Sequence, residues 1–206
     1  MISRILGGTK ITVLSSFTLG LGLFISGYAY ASEPLASRPL GEQQAAFTMK
    51  MFLDVCVTPN GDKQLTKAQA ERFGLRPLIA EVASRFTGSA GGQAWSAKIS
   101  AGMWALALAE DGVCTVYAQK VDAIALQREV TSWLPTPTSG LEVKAELPTD
   151  SANGLRTMAY QIRRGQQPLA AWVLSTSTME DAFFQGAISL KVVPKSQSIS
   201  PQGVVQ

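Results

Sequence analysis

The sequence predicts an α+β fold: a mostly antiparallel sheet with N-terminal helices, one mid-chain helix and a single disulfide. Three observations predict it. Apolar residues recur at helical spacing over 42–56, 77–87 and 122–134, while alternation of period two governs 103–109, 113–119, 141–147, 156–163, 168–176 and 185–193. The chain carries only two cysteines, Cys56 and Cys114.

Residues 1–31 stand apart from this pattern. A basic start with Arg4 and Lys10 leads into an apolar run from Ile11 to Gly27 and then to Ala29-Tyr30-Ala31, small residues at both positions a signal peptidase reads. Against a transmembrane anchor, the run is broken by glycines and serines and gives way at once to a polar stretch with Pro34 and Pro39. Cleavage after Ala31 is expected, with no cysteine nearby to accept a lipid and no membrane span left in the mature chain. The lead-in 32–41 precedes a single domain over 42–193, and a loose polar tail over 194–206 closes the chain. Setting aside Arg4 and Lys10 leaves 16 basic against 15 acidic residues, a balance that argues against a nucleic-acid partner.

The first helix is predicted over Glu42 to Cys56, with Ala45, Met49, Phe52, Leu53 and Cys56 on one face. Pro59-Asn60-Gly61-Asp62 is a turn by composition. Thr66-Lys67-Ala68-Gln69 fits a capping box, which starts a short helix that Gly74 ends. Pro77 opens a third helix with Leu78, Ile79, Val82 and Phe86 inward, and Gly88 to Gly92 breaks it.

The central stretch is Trp95 to Gln119, two or three adjacent strands. Trp104, Leu106 and Leu108 share one face, as do Cys114, Val116 and Ala118. A two-residue loop at Asp111-Gly112 would turn Cys114 away from the Leu108 face. A three-residue loop of Glu110, Asp111 and Gly112 pairs Leu108 with Cys114, Leu106 with Val116 and Trp104 with Ala118, and keeps one apolar face intact. Cys114 then points into the core. In an oxidising compartment the two cysteines read as one structural disulfide, worth roughly 4 kcal/mol by the chain-entropy argument.

Asp122 caps a mid-chain helix striped by Ala123, Leu126, Val130, Trp133 and Leu134, which Pro135 and Pro137 stop. Leu141–Leu147 is a strand. Arg156–Arg163 and Pro168–Thr176 form a hairpin around Arg164–Gln167, and Gln185–Val193 is the last strand. The helices are expected on one sheet face. Because the Trp133 helix separates two groups of strands, a two-subdomain arrangement stays open.

The residues exclude much of the usual chemistry. With no histidine there is no standard serine or cysteine triad and no histidine-bound zinc, and C-x-x-C, S-x-x-K, G-x-S-x-G and phosphate-loop patterns are all missing. No catalytic residue, metal or cofactor is expected. Glu110-Asp111 and Glu180-Asp181 read as solvated turn polarity, and Asp54 as a helix-surface acid. Two features are candidates for binding: Arg156, Arg163 and Arg164, if they gather at one hairpin end, and Trp95 or Trp172, if exposed. Most of the tryptophans Trp95, Trp104, Trp133 and Trp172 are expected in the core.

Phe52-Leu53-Asp54-Val55-Cys56, Gly112-Val113-Cys114-Thr115-Val116 and Gly186-Ala187 together resemble a pattern in uncharacterised small proteobacterial exported proteins with one cysteine pair. The resemblance runs over Glu42–Val193. It implies a periplasmic origin and transfers neither an activity nor a functional residue. The expectation is a periplasmic or secreted, non-enzymatic binding or accessory protein, inhibitors included, acting on an envelope or extracellular protein. An envelope-acting hydrolase using carboxylates, and a structural part of a secretion or conjugation apparatus, are the alternatives.

Overall fold

The computed structural model describes residues 38–151 and 154–194. The expected signal segment, the lead-in as far as residue 37 and the tail from residue 195 lie outside these. In chain order the elements are helices and strands α1 (Leu40–Phe52), α2 (Lys63–Arg72), β1 (Arg76–Pro77), α3 (Ala80–Thr87), β2 (Gly92–Ile99), β3 (Gly102–Ala109), β4 (Cys114–Ala118), α4 (Ala123–Trp133), β5 (Glu142–Ala145), β6 (Thr149–Asp150), β7 (Leu155–Arg164), β8 (Gln167–Ser177) and β9 (Gly186–Val192).

The β3–β4 hairpin has the register that the apolar pattern demands. Leu108 faces Cys114, Leu106 faces Val116 and Trp104 faces Ala118. The left-handed residue of the loop is Gly112, at φ +85°, and Ala109 exchanges hydrogen bonds with Val113 and Gly112 across it. The hairpin is one part of a continuous nine-stranded antiparallel sheet in the order β1-β2-β3-β4-β9-β8-β7-β5, with β6 also on β7. Among the described residues the two strand groups therefore form one sheet: β9, the last strand described, joins them by pairing with β4 on one side and β8 on the other.

One face of this sheet holds the core. Trp104, Leu106, Val116, Ile188, Leu190, Trp172 and Leu174 meet α1 through Met49 and Phe52, the turn after α1 through Val55, and α4 through Leu126 and Val130, all essentially excluded from water. The Phe52 ring stands edge-on to Trp172 at 5.1 Å. Buried Trp104 donates its indole N–H to the Thr48 hydroxyl at 2.9 Å, and that hydroxyl donates to the Gln44 carbonyl at 2.7 Å, so neither polar group is left unpaired. After Phe52 the helix widens into a π turn, Leu53–Val57, whose end is held by Thr58 N–H on the Leu53 carbonyl. This turn presents Cys56 to Cys114 at the head of β4, where the two form the disulfide with a Cα–Cα separation of 5.6 Å.

Four local expectations are corrected. Helix α2 begins at Asp62, not at the Thr66 capping box: the Asp62 carboxylate accepts the Gln64 and Leu65 N–H groups, and Thr66 sits one turn in, donating its hydroxyl to the Asp62 carbonyl. Arg76–Pro77 pairs with β2 and delays α3 to Ala80, which leaves Ile79 outside as its N-cap, 70% exposed. Trp133 ends the α4 stripe but is 55% exposed, because the chain turns extended at Leu134 before the helix can seat it. Finally, the helices do not share one face. Alternation along β3 sends Ala107 away from Leu106, and α3 covers that second face through Ala83, Ala94 and Ala107. Among the described residues no helix is long and apolar enough to cross a membrane.

Candidate apolar binding site

Beyond α3 the second face of the sheet turns aromatic. Tyr117, one residue off the β4 core positions, points to this side and donates its hydroxyl to the Phe86 carbonyl at the end of α3, 3.1 Å away. The ring of Phe86 lies against Tyr117 at 5.4 Å, and Phe184 touches both, at 5.8 Å from Phe86 and 5.4 Å from Tyr117. Phe183 closes on Phe184 at 4.7 Å and stays 65% exposed at the edge of the group. Burial raises the Tyr117 phenol above its ordinary value of 10.0, against a smaller lowering by a side-chain hydrogen bond with Thr115.

The two phenylalanines belong to the β8–β9 connection, and Gln185 holds that connection in shape. Its side-chain amide donates to the carbonyls of Met179 and Ala182, its side-chain oxygen accepts the Lys120 N–H, and its backbone N–H bonds the Ala118 carbonyl. The loop is thereby tied to the end of β4 next to Tyr117.

These walls enclose a cavity of about 390 Å³ between α3 and the sheet. Leu78, Val82 and Phe86 line it from the helix side, Met103, Ala105 and Tyr117 from the sheet, and Phe183 and Phe184 from the loop. Its size falls in the range of small-molecule sites, which are mostly apolar with a few placed polar groups. Here the polar-bearing residues of the lining are Arg85, which is itself exposed, Ser96 and Tyr117, whose hydroxyl is engaged.

The residues singled out from sequence lie elsewhere. Trp95 and Trp172 are 2% and 4% exposed, on the core face, so neither offers a recognition surface. The three arginines do not gather. Arg156 opposes Thr176 and reaches Asp150 at 3.4 Å, whereas Arg163 and Arg164 flank the hairpin turn at the other end of β7, roughly 24 Å away at the rise of a strand. Arg163 donates to the Gln166 side chain at 3.1 Å, and Arg164 borders an open depression with Asp111 and Val192. Among the described residues six acids meet bases: Glu110 with Lys63, Asp111 with Lys191, Asp54 with Lys50, Asp150 with Arg156, Glu129 with Arg38 and Glu42 with Arg128. Among the described residues no group of three or more cysteine or acidic side chains is placed to hold a metal.

Sequence reasoning missed this site. Its one signal was Phe183-Phe184, an aromatic doublet inside a stretch otherwise suited to a turn. No protein-family model, curated protein or solved structure matches the chain.

Proposed function

We propose that this is an exported, non-enzymatic binding protein that takes the apolar part of its ligand into the cavity under α3. The aromatic-walled cavity carries the reading. A preformed apolar site gains about 25 cal/mol for each Å² of ligand surface it removes from water, and requires no catalytic group to do so. Exposed Phe183 and Met179, 65% and 43% accessible, extend the apolar surface at the loop that walls the cavity, where a ligand would cover them. Export is supported by the Cys56–Cys114 disulfide, a bond that persists in oxidising compartments, and by the leader-like composition of residues 1–31.

The test uses a neutral apolar probe. The disulfide-bonded protein is titrated with 1-decanol while the Met103 methyl resonance is followed by NMR. A saturable shift is expected in the wild type, lost in Val82→Trp, which fills the cavity from α3, with the melting transition retained. A linear, non-saturating response, or saturation that survives Val82→Trp, would overturn the reading.

A further inference from the structure

We infer that the ligand is an amphiphilic carboxylate of the fatty-acid class, its chain in the cavity under α3 and its carboxylate on Arg85. The inference rests on the binding role proposed above and adds the chemistry of the ligand's polar end. Among the described residues Arg85 is the only charged one lining the cavity. It holds no carboxylate among the described residues of this chain, a state it shares with other surface cations, but it is the one of them that borders this cavity. Glu81, one turn back on the same helix, does not take it up.

The hydrogen-bond inventory points the same way. The Tyr117 hydroxyl is spent on the Phe86 carbonyl, which leaves the guanidinium and the Ser96 hydroxyl as the cavity's unengaged polar groups. A guanidinium only donates, and its planar fork fits the two oxygens of a carboxylate. Arg85 is exposed, so the pair forms in contact with water and is strongest at low salt. A cationic or polyhydroxylated ligand would find no carboxylate to receive it; a single-chain acid satisfies both ends of the site.

Calorimetric titration of the disulfide-bonded protein with decanoate, 1-decanol and decyltrimethylammonium at pH 8 and low salt separates the two proposals. Decanoate is expected to bind at least tenfold tighter than decanol, about 1.4 kcal/mol, and the cation more weakly than decanol. Arg85→Gln should bring decanoate to the affinity of decanol and leave decanol unchanged, which also reports that the cavity is intact; Arg85→Lys should keep part of the preference. Equal binding of decanoate and decanol by the wild type, an undiminished preference in Arg85→Gln, or loss of decanol binding in that variant would overturn the carboxylate assignment while the apolar site stands. Failure of all three probes would remove the site and the assignment together.

Discussion

Tyr117 ties three parts of the molecule together with one side chain. Its ring packs on Phe86 and Phe184, and its hydroxyl closes the end of α3 through the Phe86 carbonyl. A phenolate could not donate that bond and would be poorly solvated among those rings, which is why burial pushes the phenol above 10.0. The sign of the linkage follows. With the folded-state value raised, the folded protein holds the proton more tightly than the unfolded chain, so this stability is complete below pH about 10 and is lost as pH climbs through the folded-state value. Denaturant unfolding of wild type and Tyr117→Phe between pH 8 and 11.5 checks it. The variant is expected to start lower, by about 0.5–1.5 kcal/mol for the missing hydrogen bond, and to decline less steeply above pH 10. Parallel curves for the two proteins would show that Tyr117 does not titrate with unfolding.

At the scale of elements, the packing of α4 on the sheet depends on a position without a side chain. Gly186 opens β9 directly beneath α4, and a Cβ there would lie 2.5 Å from Leu126 Cδ2 and 2.7 Å from Val121 Cγ1, both in the core. In an ordinary strand Gly→Ala stabilises, because it restricts the unfolded chain. Here overpacking should win, and Gly186→Ala is expected to destabilise by about 1–3 kcal/mol in denaturant unfolding, with Leu126→Ala less costly in that background than alone. A gain in stability would mean that α4 can move off the sheet freely. Elements such as α4 and the β3–β4 hairpin were legible because several local signals agreed. Asp122 caps where the stripe begins, and slipping the three-residue loop would have turned Leu106 and Val116 to water. The start of α2 was not legible, since Asp62 closes the Pro59–Asp62 turn and caps the helix at once, while Thr66 and Gln69 imitate a cap one turn later. Strands of two residues, β1 and β6, are too short to show a period. The cavity was illegible for a different reason. Its walls come from residues near 80, 100, 117 and 184, and none of these stretches looks like a site until the sheet brings them together.

What brings them together across the whole molecule is the insertion of β9. The strands fall in two sequence groups with α4 between them, and periodicity alone is silent on whether those groups meet. In the sheet, β9 lays Ile188 and Leu190 between Val116 and Cys114 of β4 and Leu174 and Trp172 of β8, so the core runs unbroken through both groups. The same insertion anchors the β8–β9 connection and sets Phe184 against Tyr117, with Phe183 packed on Phe184, so the cavity can exist only when the two groups are joined. If β9 couples the groups this tightly, the sheet should open as one cooperative unit. Native-state amide hydrogen exchange measures this residue by residue. The amides of Val116 in β4, Ile188 in β9 and Leu174 in β8 are expected to exchange at one free energy, equal to that of global unfolding, and to fall together in Gly186→Ala. Exchange from β7 and β8 at a distinctly lower free energy than from β3 and β4 would mean that the groups open separately, and the cavity would then lose its loop wall in a partly open state while α3 still lay on β2 and β3.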